Sequence, residues 1–162
     1  MTVVSTRKDV EGLTLTLVAE FDAGVERVWQ VWEDPRQLER WWGPPGWPAT
    51  VEQHDFVVGG WCRYHMTGPE GEKSRGWWTF TAIDAPHRLE FDDGFADENG
   101  DPVTTMDSMH MAITLEDVGG KTRMTSVMTF TSADQLEQLL EMGMEEGARQ
   151  AMGQIDEVLV GA

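Results

Sequence analysis

Between Thr50 and Phe130 apolar and polar side chains alternate in short stretches, each closed by a glycine- or proline-bearing turn, and this pattern admits little besides an antiparallel sheet. The stretches are Thr50–Phe56, Trp61–Met66, Arg75–Ile83, Arg88–Asp93, Met109–Asp117 and Lys121–Phe130. Turn signals stand at Gly59-Gly60, Gly68–Gly71, Asp84–Pro86, Asn99–Pro102 and Gly119-Gly120, and connections this short predict a meander. A first strand precedes them, since Leu13, Leu15, Leu17, Ala19 and Phe21 alternate with Thr14, Thr16, Val18 and Glu20. The expected sheet has about seven strands.

Two short helices follow the first strand. Asp22 stands where an N-cap belongs, and Val25, Val28, Trp29 and Trp32 recur at helical spacing. Asp34-Pro35 starts a second helix before Leu38, Trp41 and Trp42, because Asp caps a new N-terminus and Pro is tolerated at the first helical position. The stiff segment Gly43-Pro44-Pro45-Gly46-Trp47-Pro48 then returns the chain to the sheet. At the other end, Ser132 and Gln135 make a capping-box pair, and Leu136, Leu140, Met144, Ala148, Ala151, Ile155 and Leu159 mark one apolar face. One long helix from Ser132 to Leu159 is predicted, weakened locally by Gly143, Gly147 and Gly153. A sheet with one apolar face hides it only by packing against that helix, so residues 1–162 read as a single α+β domain.

Composition narrows the function. Acidic residues number 29 against 12 basic ones, a formal net charge of −17, and such a surface repels nucleic-acid phosphates and anionic headgroups. Nucleic acid is therefore not an expected partner. No stretch approaches the ~20 apolar residues that span a bilayer, so membrane insertion is not expected either. Cys62 is the only cysteine and Met1–Lys8 lacks the apolar core of a signal peptide, which together suit a reducing, cytoplasmic setting. A homodimer is compatible with the sequence.

Strand parity sends Tyr64, Met66, Trp78, Phe80, Leu89 and Phe91 to one common side. Met111, Ile113, Met124 and Met128 join them, facing Met144, Ala148 and Met152 on the helix. These side chains either pack into a solid core or wall a pocket. Ten methionines in the chain suit an adaptable lining, because the thioether is flexible and polarisable. The hydroxyls of Tyr64 and Ser126 are candidates to orient a ligand from otherwise apolar strands. Trp42 and Trp47, flanking the Pro-Gly loop, are candidates for a pocket mouth.

Other chemistry is poorly supplied. His54, His65, His87 and His110 lack the spacing that puts two metal ligands on one face of one element, so no metal is expected. Asp97-Glu98-Asn99-Gly100-Asp101 lacks the glycine and glutamate positions of a calcium loop and reads as a solvated turn. Cys62 has no activating histidine in a legible pattern. Gly59-Gly60 precedes no helix and reads as a bend in the sheet rather than a phosphate cradle. No cofactor and no catalytic residue are expected.

The run Phe21-Asp22-Ala23, Val28-Trp29, Trp32, Asp34-Pro35, Leu38 and Arg40-Trp41-Trp42-Gly43-Pro44 resembles the N-terminal signature of homologues of the heat-shock protein 90 ATPase activator. The likeness continues through Asp55, Gly59-Gly60, Met66, Gly71, Pro86, Arg88-Leu89, Phe91, Gly119-Gly120, Thr122-Arg123, Phe130 and Gly143 to Gly147, spanning residues 12–160. This resemblance implies the START-related helix-grip fold, a curved sheet closed by a C-terminal helix around a hydrophobic cavity that binds a lipid-like or polyketide-like small molecule. It also carries two alternatives, a cofactor of the chaperone ATPase and a cyclase- or dehydratase-like enzyme. The sequence departs from the family pattern at Val57, at Gly76-Trp77-Trp78 and at Ala148, where a tryptophan is usual.

Overall fold

The alternating stretches pair in the order their short turns dictate. The computed structural model describes residues 2–105 and 107–160. In chain order the elements are β1 (Thr2–Asp9), β2 (Thr14–Phe21), α1 (Val25–Glu33), α2 (Pro35–Trp41), β3 (Ala49–His54), β4 (Trp61–Thr67), β5 (Lys73–Asp84), β6 (Arg88–Ala96), β7 (Met109–Val118), β8 (Lys121–Thr129), α3 (Ala133–Glu141), α4 (Met144–Gly153) and α5 (Ile155–Val160). The strands form one antiparallel sheet in the order β1-β2-β8-β7-β6-β5-β4-β3. From β3 to β8 the chain is a meander. The helices α1 and α2 carry it from β2, near one edge, to β3 at the other. This is the α+β helix-grip arrangement, a curved open sheet with a helical C-terminal segment across its apolar face.

The sheet has eight strands rather than about seven. The additional one is β1, an edge strand that pairs only with β2, with Lys8 opposite Leu15 and Thr6 opposite Leu17. An edge strand needs no strict apolar alternation, because its partner's backbone supplies the hydrogen bonds.

Caps explain the helix starts. Asp34 accepts a hydrogen bond from the Arg36 N–H at 2.9 Å, with Pro35 at the first helical position. The first helix departs from expectation: its N-cap is Gly24, not Asp22, and no side chain caps it. In the C-terminal segment Ser132 Oγ accepts from the Gln135 N–H at 3.1 Å, while Gln135 Oε1 accepts from the Thr131 N–H at 2.8 Å. The reciprocal bond of the box thus reaches one residue further back than usual.

The C-terminal segment is long but not continuous. It bends at Gly143, whose φ of 87° and ψ of 22° are left-handed, and again at Gln154. The apolar stripe predicted over Ser132–Leu159 survives as three consecutive helices that follow the sheet's curvature. Gln154 ends α4 and donates from Nε2 to the carbonyls of Trp41 and Gly43, at 3.1 and 2.7 Å, tying the segment to the C-terminal end of α2. Arg27 on α1 donates to the Val158 carbonyl at 2.8 Å and holds α5 down. Among the described residues no helix is long and apolar enough to cross a membrane.

A left-handed backbone costs a branched residue roughly 1–2 kcal/mol. Gly143→Val should therefore lower the denaturant midpoint by about that much at unchanged m-value, with Gly143→Asn costing less. Equal stability of Gly143→Val and wild type would show that the bend relaxes freely.

Candidate ligand-binding site

One half of the concave face is solid. Trp78 stacks on Phe91 with ring centroids 4.1 Å apart at 19°, Trp32 meets Trp41 edge-on at 4.7 Å, and Trp42 meets Trp78 edge-on at 4.7 Å. Phe80 closes the cluster against Phe91 at 6.3 Å. Helices α1 and α2 place Trp32 and Trp41 there because Val28, Val31, Trp32, Leu38 and Trp41 are their buried faces. Trp41 is further fixed by its Nε1–H, which donates to the Val31 carbonyl at 2.9 Å.

The other half is hollow. Two adjoining cavities, ≈ 270 Å³ and ≈ 180 Å³, lie between the sheet and helices α3 and α4. They share Asp93, Met109 and Met144. The larger is walled by Tyr64, Phe95, Asp107, Gln135, Leu139, Met142 and Gly143 as well, and the exposed side chains of Phe95 and Met142 mark its mouth. The smaller is lined by Trp41, Trp42, Pro44 and Met66, with Met111, Met128, Ala148, Ala151 and Met152 around them. The bend at Gly143 thus stands on the cavity rim.

Of the side chains that parity places on the inner face, Tyr64, Met66, Met111, Met128, Met144, Ala148 and Met152 line these cavities, as does Trp42. Trp78, Phe80, Phe91, Ile113, Met124 and Ser126 are buried on the same face without lining either cavity. Trp47 lies away from both, its ring packed near Gly68. Trp77 belongs to the convex face, where its Nε1–H donates to the Phe95 carbonyl at 3.1 Å. The volume beside Ala148 therefore stays open on the side of the smaller cavity.

Tyr64 occupies its place because its partner across β4 and β5 is Gly76. A Cβ there would stand 2.3 Å from the Tyr64 hydroxyl oxygen, so only glycine lets the phenol cross the β5 backbone. Burial, and then the nearby Asp93 carboxyl, push the Tyr64 hydroxyl well above its ordinary range. The indole N–H groups of Trp42 and Trp78 lie near its oxygen without reaching hydrogen-bond geometry and pull weakly the other way.

Asp93 is a cavity residue that strand periodicity alone does not bring out. It is only 7% exposed, its side chain makes no hydrogen bond or ion pair among the described residues, and burial pushes its carboxyl up to about 8. The sequence does carry a signal, because Asp93 shares the parity of Leu89 and Phe91. Its position at the expected end of β6 hides it; the strand runs on to Ala96, which puts Asp93 inside, between Trp78 and Met109 on its neighbours. Met109, which shares the parity of Met111, and Gln135, legible in sequence only as a capping residue, also line the cavities.

The remaining candidates lie elsewhere. His65 pairs with Glu52 at 2.8 Å and His110 bridges Asp92 and Glu90 at 2.9 and 2.8 Å, away from the cavities. Burial pushes the Cys62 thiol up, which makes it a poor nucleophile. Asp97 Oδ1 accepts from the N–H groups of Asn99 and Asp101, closing its own turn.

Comparison with known proteins agrees with the fold. The family model described as activator of Hsp90 ATPase homolog 1-like protein matches residues 22–160. Among solved structures, the solution NMR structure of a protein from Arthrobacter aurescens shares 60% identity, covers 99% of this chain and 94% of that one, and superposes with a TM-score of 0.95. The crystal structure of a protein from Mycobacterium smegmatis shares 49% identity over 98% of this chain and 97% of that one, with a TM-score of 0.91. A solution NMR structure from Staphylococcus epidermidis shares 27% identity over 99% and 94%, with a TM-score of 0.85. No curated protein matches.

The raised Asp93 carboxyl sets a stability profile. An unfolded chain releases that proton near 3.8, whereas the native state keeps it to about 8. The native state binds more protons across this window, so stability falls as pH rises through it, the reverse of a salt-bridged aspartate. Asp93→Asn should leave stability near its wild-type value around pH 4 and raise it above wild type around pH 8, by an amount on the order of a few kcal/mol. Thermal unfolding across that range checks it, and a difference that does not change with pH would contradict a buried neutral carboxyl.

Proposed function

The chain belongs to the family of activator of Hsp90 ATPase homolog 1-like proteins, and on that premise we propose that it binds an apolar or amphipathic small molecule between its sheet and helices α3 and α4. The observation that carries this reading is the pair of adjoining cavities that meet at Asp93, Met109 and Met144. Their walls are mainly methionine, leucine and aromatic carbon, and each Å² of apolar ligand surface buried there contributes about 25 cal/mol. The polar groups are few and sit together: Asp93, Tyr64, Gln135 and Asp107 all face the larger cavity. An amphipathic ligand would lay its apolar part against the methionines and its polar end beside these groups.

An enzymatic reading gains one requirement from Asp93, a carboxyl held protonated near neutral pH that can donate a hydrogen bond to a carbonyl oxygen. General acid–base chemistry also needs a base in reach. Tyr64 is pushed away from ionisation and Asp107 stands exposed at the rim, so binding is the better-supported role. The chaperone-cofactor role carried by the family name has its direct test in stimulation of the chaperone ATPase by the purified protein.

A neutral apolar dye such as phenylnaphthylamine should be taken up saturably at one equivalent and quench tryptophan fluorescence, because Trp41 and Trp42 line the smaller cavity. Absence of saturable uptake by the folded protein would refute the binding role. Ala148→Trp should fill the smaller cavity and reduce uptake at least about tenfold while the domain stays folded. Were the site already packed, the added indole would instead cost ~1–3 kcal/mol and leave uptake by the folded fraction unchanged.

A further inference from the structure

Both cavities are lined by acidic rather than basic groups. Among the described residues their linings hold two carboxyl groups, Asp93 and Asp107, and no lysine, arginine or histidine. Asp93 is buried, faces both cavities and has no side-chain partner among the described residues. Without a partner, a carboxyl at that depth costs folding free energy in either protonation state, and an incoming donor with a positive charge removes that cost. The walls beside it are aromatic, Tyr64 in the larger cavity and Trp42 in the smaller, and aromatic rings stabilise an ammonium group further. The chain's net charge of −17 attracts cations to the mouth and repels fatty-acid carboxylates.

We propose that the ligand is an apolar amine, whose hydrocarbon body lies along the methionine wall and whose ammonium group donates to the Asp93 carboxylate. This rests on the small-molecule reading above and narrows it to one chemical class. Below about pH 8 Asp93 carries a proton in the empty protein. Binding of an already protonated amine then expels that proton to solvent, so charge and atoms balance: RNH₃⁺ plus the neutral carboxyl gives the ion pair and one H⁺. The groups facing Asp93 leave this step to it alone. From β4 come Tyr64 and Cys62, both held neutral by burial; β5 and β7 present Trp78 and Met109; α3 and α4 present Gln135 and Met144; Asp107 stands exposed at the rim.

The test is calorimetric titration of the full chain with n-octylamine, octan-1-ol and octanoate, at about pH 6 and about pH 8.5 and at physiological ionic strength. Octylamine should bind wild type at least about tenfold tighter than octanol at the higher pH, and octanoate weakest. The amine's advantage should shrink toward the lower pH by up to about tenfold per pH unit below the Asp93 titration, with proton release seen as a buffer-dependent heat. In Asp93→Asn the amine-to-alcohol ratio should fall to about one. Octanol binding with no amine preference would overturn the proposal and leave the cavity reading standing. An amine preference that persists in Asp93→Asn would overturn it equally, since the amine would then be responding to surface charge. Failure of all three probes to bind would overturn both readings.

Discussion

A sheet bent toward one apolar face has to cover that face, and every other element answers to this requirement. The concave side of strands β2 to β8 presents Leu15, Leu17, Tyr64, Trp78, Phe80, Phe91, Met111, Ile113, Met124 and Met128. No single layer of side chains can close over a surface of that curvature. Two covers divide the work. Under α1 and α2 large rings fill the space edge to face, and under α3 and α4 smaller and more flexible side chains leave a gap. Straight helices cannot follow a curved wall, and the left-handed turn at Gly143 is where the backbone accommodates it.

The gap has an electrostatic character as well as a shape. Interiors tolerate polar atoms when they are paired, and around Asp93 they are not: among the described residues the buried Asp93 carboxyl has no side-chain partner, and the indole nitrogens of Trp42 and Trp78 are buried without hydrogen-bond partners. Desolvation then decides the charge state, favouring neutral Asp93 and neutral Tyr64. On the proposed reading, such a lining would favour a hydrocarbon body carrying one group that can satisfy the carboxyl. The outer face is the opposite case. There Glu52 pairs with Arg75 and Glu90 with Arg88, partly exposed ion pairs that each contribute little.

Family membership and function separate along the same line. The match over residues 22–160 and the superposition on structures from several bacteria concern the grip itself, the sheet and what covers it. A fold of this kind hosts many ligands, and what this chain offers one is set by its lining: a small residue at Ala148, a glycine at Gly76 that admits a phenol, and a carboxyl on β6.

Periodicity alone determined the strands from Thr14 to Thr129, the helix starts at Asp34 and Ser132, and which side chains of each strand share a face, because those are local consequences of a period of two or 3.6 and of capping chemistry. Tyr64, Met66, Met111 and Met128 were legible as inner-face residues for that reason. What parity cannot tell is how far an inner face is filled. Trp78 and Met128 obey the same rule, yet one is locked in a ring cluster and the other borders a void, since filling depends on which helix lies above each residue. Asp93 obeyed the rule too, but a carboxyl at a strand's expected end reads as a surface group until its neighbours are known. Edge strand β1, the bend at Gly143 and the protonation of Asp93 were decided only in three dimensions, where pairing partners, curvature and exclusion of water come from residues distant in the chain.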